Sequence, residues 1–303
     1  MTGQTLDSDQ LDLFVHSHAV ILANEAIDAL LARNAGRAAA CLDRLRAEEP
    51  GYEALTALET LWRTLSEWPL RSTNASEVAG AVERLEREVH PAALAAMGSK
   101  AADFMRPLWR DLAHAAHPHV YDAALPQAFC AELYLRCSDA PAAARAAESI
   151  PGWQRNADAL RWLAVARYDK AELDACLPLI MRLALWSPQH LSATLVQIDD
   201  SLLQRDWRAF HVACHWLDFE DETAEAWFPA WYQVEHPGIR IASDDATSLP
   251  ATQAAQTFLA IARLLELEKR GYSAALVSAR GRLRNLAPEM FAFYMARREV
   301  DHR

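Results

Sequence analysis

Apolar residues recur every three to four positions along nearly the whole 303-residue chain, and this spacing limits what the chain can fold into. A period near 3.6 residues places those side chains on one face of an α-helix, whereas a half-buried strand needs strict alternation. No segment shows sustained alternation. Short stretches with Gly, Pro or Asp interrupt the pattern about once per helix. The sequence therefore predicts an all-α protein of stacked antiparallel helical hairpins.

The interruptions divide the chain into parts. Residues 1–8 are polar and are predicted to form a flexible N-terminus, and residues 9–118 an N-terminal helical region. Residues 119–238 hold the most regular hairpins. The segment 239–250 contains Asp, Ser and Pro and has no helical pattern. Residues 251–303 are predicted to add a C-terminal hairpin and a terminal helix that continue the same array.

Individual helices follow from the apolar stripes and their breaks. Two long helices are expected before His117-Pro118, near 77–89 and 91–116. The middle section is expected to hold helices near 121–137, 140–149, 156–169, 171–186, 190–204, 206–218 and 222–234. The last hairpin is expected near 251–270 and 273–286, followed by a helix from Pro288 to Arg298.

Composition and charge narrow the classes of function. Gly is scarce, at 9 residues, and the chain is rich in Ala, Leu, Arg and Glu, which form helices at low cost. A formal net charge of -11 argues against nucleic acid, because phosphate binding needs clustered Lys and Arg. Excess acid also favours encounters with basic partners. We therefore expect a protein or peptide partner of basic character and no nucleic acid.

The chain shows no sign of export or of a membrane. Its first eight residues lack the basic and apolar parts of a secretory signal, and no apolar run approaches the length of a membrane span. The five cysteines are odd in number, lack CxxC spacing and fall in helical patterns, so they are expected to be buried thiols. These features predict a cytoplasmic protein that does not bind a membrane. The cysteines are Cys41, Cys130, Cys137, Cys176 and Cys214.

The stretch 157–188 has the clearest two-helix pattern. Leu160, Leu163 and Ala164 lie on one face of its first helix, and the second helix closes at Pro188. The apolar positions of that second helix are Leu173, Cys176, Ile180 and Leu183. In the next unit, Trp207, Phe210, Cys214 and Leu217 form one apolar stripe.

This pattern resembles a tetratricopeptide repeat (TPR). In that family a small residue allows close helix contact and a Pro ends the second helix, and Ala164 and Pro188 stand at matching positions. Ala171 stands where the family usually has Gly. Gly271 and Pro288 repeat the 17-residue separation of Ala171 and Pro188. The resemblance implies a TPR-like α-solenoid, in which neighbouring units bury each other's apolar faces and leave a concave groove.

Such grooves hold segments of partner proteins, so the resemblance implies a non-catalytic scaffold, adaptor or secretion-type chaperone without a cofactor. The family presents side chains of the first helix of each unit to the groove. At matching positions this chain has Arg161, Tyr168, Asp169 and Asp199. A lysine-rich clamp for acidic C-termini is not expected, because lysine is almost absent.

An aromatic patch follows the hairpins, at Trp227, Phe228, Trp231 and Tyr232. Aromatic residues are enriched at binding hot spots. They also fill the space between packed helices. Trp227, Trp231 and Tyr232 are therefore candidate groove residues as well as candidate core residues. A homodimer interface at this patch is a further interpretation.

A histidine pair supports an alternative function. His211 and His215 are four residues apart on a predicted helix, and Asp218 follows three residues later, so one face can offer two imidazoles and a carboxylate to a metal. The general-base Glu of an HExxH motif is missing. The alternative to a binding module is therefore an all-α metal-dependent enzyme that uses these three residues. The chain has no GxSxG, phosphate-loop or GxGxxG motif.

Overall fold

Helices, turns and loops account for all the described residues of the computed structural model, and no strand occurs among them. The prediction of an all-α protein is confirmed. No described helix combines the length and apolar character needed to cross a membrane. The structure describes residues 8–69, 74–168, 173–217, 224–239 and 249–301.

The chain divides into two compact units, Met1–Asp139 and Ala140–Arg303, and each is described by itself. The helices of the first unit are α1 Ser8–Leu31, α2 Ala35–Glu48, α3 Leu55–Glu67, α4 Ala75–Arg84, α5 His90–Met97, α6 Ala101–Ala116 and α7 Cys130–Arg136. A π-helical turn precedes α5, whose early Pro91 has no N–H for a regular helical bond.

The second unit contributes nine described helices. They are α8 Ala140–Glu148, α9 Ala157–Tyr168, α10 Leu173–Trp186, α11 Leu191–Ile198, α12 Ser201–Leu217, α13 Phe228–Glu235, α14 Gln253–Lys269, α15 Ala274–Leu286 and α16 Pro288–Asp301. Two pairs form hairpins that the sequence predicted, α9 with α10 and α14 with α15. The last helix, α16, packs against α15 and also against α12 and α13.

The helix boundary predicted near residue 205 is wrong. Asp199 ends α11 in the left-handed region, with φ 52°, and Asp200 immediately precedes α12. The Asp200 Oδ1 atom accepts hydrogen bonds from the backbone N–H groups of Leu202 and Leu203, at 3.0 and 2.8 Å. An aspartate in this position satisfies N–H groups that have no partner within the helix, so it fixes the start of α12.

Three other predicted helices are shorter than expected. Within 121–137 only the turn Pro126–Ala128 and α7 are helical, because Pro126 holds the preceding Leu125 outside the helical region. The expected helix 91–116 is broken at Gly98, whose φ of 56° ends α5. The expected helix 222–234 contains a 3-10 turn, Ala224–Trp227, before α13.

The core positions agree with the predicted apolar stripes. Ala164 is fully buried on α9. The α12 stripe is also buried, with Phe210 at 0% exposure and Trp207 at 7%. All five cysteines are free and buried, as predicted. Burial raises the pKa of three of these thiols to about 11, those of Cys130, Cys176 and Cys214.

Candidate functional site

Helices α12, α13 and α16 of the second unit surround an open cavity of about 570 Å³. Pockets that bind small molecules have volumes of roughly 300–1,000 Å³. The cavity lies beside the aromatic core, and its lining combines apolar side chains with five charged or titratable residues. These five are Arg205, Asp206, Glu235, His236 and Arg297.

The apolar part of the lining has a rigid base and an exposed edge. Trp231 is only 3% exposed and packs against the rings of Phe210 and Phe228, with centroids 5.6 and 6.0 Å away. Its indole Nε1–H has no hydrogen-bond partner among the described residues. Val212, at the edge of the cavity, is 62% exposed. Covering exposed aliphatic surface lowers the free energy, so a ligand that covers Val212 would bind more tightly.

Asp206 anchors the first polar group of the cavity. Its Oδ1 atom accepts hydrogen bonds from Nε and Nη2 of Arg205, at 3.1 and 3.0 Å. Its Oδ2 atom lies 2.8 Å from Nε2 of His236, the residue that ends α13. The His236 ring in turn packs 4.3 Å from the ring of Tyr232. These contacts fix the carboxylate of Asp206 at the wall between α12 and α13.

Glu235 anchors the second polar group. Its Oε1 atom accepts a hydrogen bond from Nε of Arg297 on α16, at 2.8 Å, and forms an ion pair with Nη2 of the same side chain, at 2.6 Å. The Arg297 guanidinium carbon also lies 5.6 Å from the ring centroid of Phe293, within the range of a cation–π contact. This pair joins α13 to α16 across the cavity.

In both polar groups the carboxylate is more deeply buried than its arginine. The side chains of Asp206 and Glu235 are 10% and 19% exposed, whereas those of Arg205 and Arg297 are 64% and 49% exposed. The two acids therefore belong to the inner wall of the cavity, and the two arginines lie at its rim.

The groove candidates predicted from the resemblance lie elsewhere in the second unit. Arg161 donates from Nη1 to Oε1 of Gln197, at 3.5 Å, and lies beside the ring of Trp162. The Tyr168 hydroxyl donates to Oδ2 of Asp200, at 3.2 Å.

Tyr168 therefore lies beside the turn that contains the exposed Asp199, which precedes Asp200 in the chain. Burial, and then the neighbouring carboxylate, raises the pKa of Tyr168. Asp169 lies outside the described residues. The described members of this candidate set do not line the cavity.

The aromatic patch divides between core and cavity. Tyr232 is 2% exposed, and burial raises its pKa to about 12. Trp227 is half-buried at the end of a 3-10 turn. Trp231 is part of the core and also lines the cavity, so among the described groove candidates it is the residue that reaches this site.

The predicted metal ligands are only partly described. His211 and His215 are both exposed on α12, and the His211 ring contacts the ring of Trp207, with centroids 4.4 Å apart. Partial burial, and then the nearby His215, lowers the pKa of His211. Asp218 lies outside the described residues. No group of three or more His, Cys, Asp or Glu side chains in the described part of the chain could hold a metal ion. The metal site stays a prediction.

A smaller cavity, of about 330 Å³, lies in the first unit. Arg136 lines it and is bound on two sides, 2.5 Å from Glu86 and 3.2 Å from Glu132. Its guanidinium also covers the ring of Trp109, at 4.9 Å from the ring centroid. These contacts give Arg136 a structural role and make this cavity a weaker candidate than the one in the second unit.

The charged residues of the larger cavity could not be recognised in the sequence. Asp206 and His236 come from different helices, and Glu235 and Arg297 are 62 residues apart. The sequence signals for them are weak. Glu235 and His236 stand directly before Pro237-Gly238, and Arg297 lies in the terminal helix.

Comparison of the chain with protein-family models, with curated proteins and with solved structures finds no match.

Proposed function

We propose that the protein is a cytoplasmic, non-catalytic binding module, a scaffold, adaptor or chaperone, that holds a segment of a partner protein in the cavity of its second unit. One observation carries this proposal. The cavity between α12, α13 and α16 is open and has an apolar base that includes Trp231, Val212 and Phe293, with charged pairs at its wall. Buried aromatic anchors inside a polar rim are typical of protein interfaces.

The packing of the helices supports a TPR-like array as part of this proposal. The α9–α10 and α14–α15 pairs are hairpins of the expected kind, with Ala164 buried on α9. The contact of α16 with α12 and α13 adds a wall that a simple stack of hairpins does not have.

The state of the two carboxylates supports binding more than proton transfer. Asp206 accepts two hydrogen bonds from the Arg205 guanidinium, and Glu235 accepts one from the Arg297 guanidinium, with which it also forms an ion pair. A general base must instead present a lone pair to a substrate proton. Paired carboxylates of this kind are suited to recognising charge on a partner.

The test uses peptides selected against the full chain from a random display library. Val212→Asn replaces the exposed apolar edge of the cavity by a neutral polar group, so it neither disturbs the core nor adds a charge that would attract a basic peptide. Val196→Asn is the matched control, because Val196 is 69% exposed on α11 and does not line the cavity. We expect Val212→Asn to weaken the binding of the selected peptides roughly tenfold, and Val196→Asn to leave their Kd unchanged. Equal Kd values for the two variants, or no enriched peptide, would contradict the proposal.

A further inference from the structure

The wall of the cavity already binds one guanidinium, that of Arg297. Glu235 accepts its Nε–H at 2.8 Å and lies 2.6 Å from its Nη2, and the ring centroid of Phe293 lies 5.6 Å from its central carbon. Charge-assisted hydrogen bonds to a carboxylate combined with an aromatic face are the contacts by which proteins recognise arginine. The cavity wall therefore has the chemistry of a guanidinium site, occupied by a side chain of the same chain.

Arg297 is more exposed to solvent than the carboxylate that binds it. Glu235 is 19% exposed on α13, whereas Arg297 is 49% exposed on the last turns of α16. Ion pairs with a half-exposed partner contribute little to stability, because water competes for the charges and the long side chain loses conformational freedom. Arg297 can therefore exchange with another cation, which takes over the Phe293 ring and the carboxylate of Glu235, so that this partly buried carboxylate stays paired.

We infer that the cavity takes an arginine side chain of a basic partner segment, and that Arg297 occupies the same place when no partner is bound. This inference rests on the proposed binding function and specifies the ligand of the same cavity. Charge supports it: once Arg297 has moved away, the lining carries the carboxylates of Asp206 and Glu235 against the single guanidinium of Arg205, and the whole chain has a net charge of -11.

The shape of the contact favours arginine over lysine. Glu235 contacts two nitrogens of the planar Arg297 guanidinium, one through a hydrogen bond and one as an ion pair, and such a plane also packs on an aromatic ring. A lysine ammonium is a compact, strongly hydrated charge that cannot make this combination of contacts. The apolar base around Trp231 can take the aliphatic stem of the incoming arginine.

The inference is tested with four capped pentapeptides that differ only at the central residue: arginine, lysine, citrulline or glutamate. Citrulline has the size and planarity of arginine without its charge. Isothermal titration with the full chain is expected to show binding of the arginine peptide, weaker binding of the lysine peptide, and none of the other two. Equal affinity for arginine and citrulline, or tighter binding of glutamate, would overturn the inference.

Two variants separate competition from a loss of structure. Arg297→Ala removes the internal competitor and is expected to bind the arginine peptide roughly tenfold tighter, whereas Glu235→Gln is expected to bind it roughly tenfold weaker. Since a misfolded protein would not bind the peptide more tightly, tighter binding by Arg297→Ala cannot result from a loss of structure. The control is Arg208→Ala, since Arg208 is exposed on α12 and outside the cavity lining. Unchanged or weaker binding by Arg297→Ala would show that Arg297 does not compete with the arginine of the peptide.

The inference and the proposed function can fail separately. If selected library peptides lack arginine but still depend on Val212, the cavity binds segments and the arginine inference is wrong. If no selected peptide depends on Val212, and no arginine peptide binds, both are wrong.

Discussion

Replacing Phe228 tests whether the aromatic core supports the cavity wall. Phe228 is 0% exposed, and four aromatic rings surround it at centroid distances of 5.2, 5.4, 5.5 and 6.0 Å. Removing a buried Phe side chain costs about 3–5 kcal/mol, because apolar burial is reduced and a space is left behind. Since alanine cannot pack against these four rings, we expect Phe228→Ala to cost about 4 kcal/mol. The rings are those of Trp207, Phe210, Trp231 and Tyr232.

Phe228→Leu separates burial from ring packing, because leucine fills part of the space but offers no ring. We expect it to cost about 2 kcal/mol, roughly the value of several aromatic pairs plus a small cavity. The control is Tyr272→Ala, since Tyr272 is 85% exposed and its replacement should change stability by about 0.5 kcal/mol or less.

Urea unfolding followed by tryptophan fluorescence gives the measurement. Seven of the ten tryptophans lie in the second unit, so the signal reports mainly on that unit. The midpoint should fall in the order wild type, Phe228→Leu, Phe228→Ala at constant slope. In thermal unfolding, Phe228→Ala should lower Tm by about 10 °C for a unit of this size. A cost below about 1 kcal/mol for Phe228→Ala would show that the rings are not packed as described.

Further outcomes follow from the buried ionisable groups and from the histidine pair. The five thiols should react with a disulfide reagent only after unfolding, and fast reaction of any thiol in the native protein would contradict their burial. Where burial raises a thiol pKa from 9.0 to about 11, the unfolded chain releases its proton first, so stability should be constant below pH 9 and fall between pH 9 and 11. Each such thiol contributes at most about 3 kcal/mol to that fall. Urea midpoints determined at a series of pH values would measure it. The thiols are those of Cys130, Cys176 and Cys214. Glu268→Gln should lower the free energy of unfolding by about 3 kcal/mol, because Glu268 lies 2.9 Å from Arg280 and 3.7 Å from Arg298 and its replacement leaves two partly buried cations. The control is Glu266→Gln, in an exposed pair, which should lower it by about 0.5 kcal/mol or less. Purified protein should bind zinc no more tightly than a His211→Ala variant, and one zinc per chain that is lost in the variant would favour the metal-enzyme alternative.

Much of the helical layout could be predicted from apolar periodicity and helix stops. The α9–α10 and α14–α15 hairpins lie within a few residues of the expected ranges, because Pro188 follows the first hairpin, Gly271 marks the turn of the second, and the apolar stripes of their helices are clear. The boundary between α11 and α12 was placed incorrectly, because Asp199 adopts a left-handed conformation that a pattern of apolar residues does not reveal. Local backbone geometry decided this boundary.

The cavity could not be predicted, because its polar pairs join helices that are distant in the chain. The sequence shows Glu235 as the end of one helix and Arg297 as part of another, with nothing to indicate that their side chains meet. Trp231 could be named from composition because the aromatic patch is dense. Its two roles, in the core and on the cavity wall, depend on how α13 packs between α12 and α16.

The position of α16 has a consequence for biosynthesis. Phe293 and Arg297 form one side of the cavity and leave the ribosome after the rest of its lining has been made. During synthesis the residues of the hairpins are therefore complete before this third wall is. A premature stop codon ahead of α16 would remove the wall together with the buried side chains of Met290 and Tyr294, and so would expose apolar surface of the second unit to water.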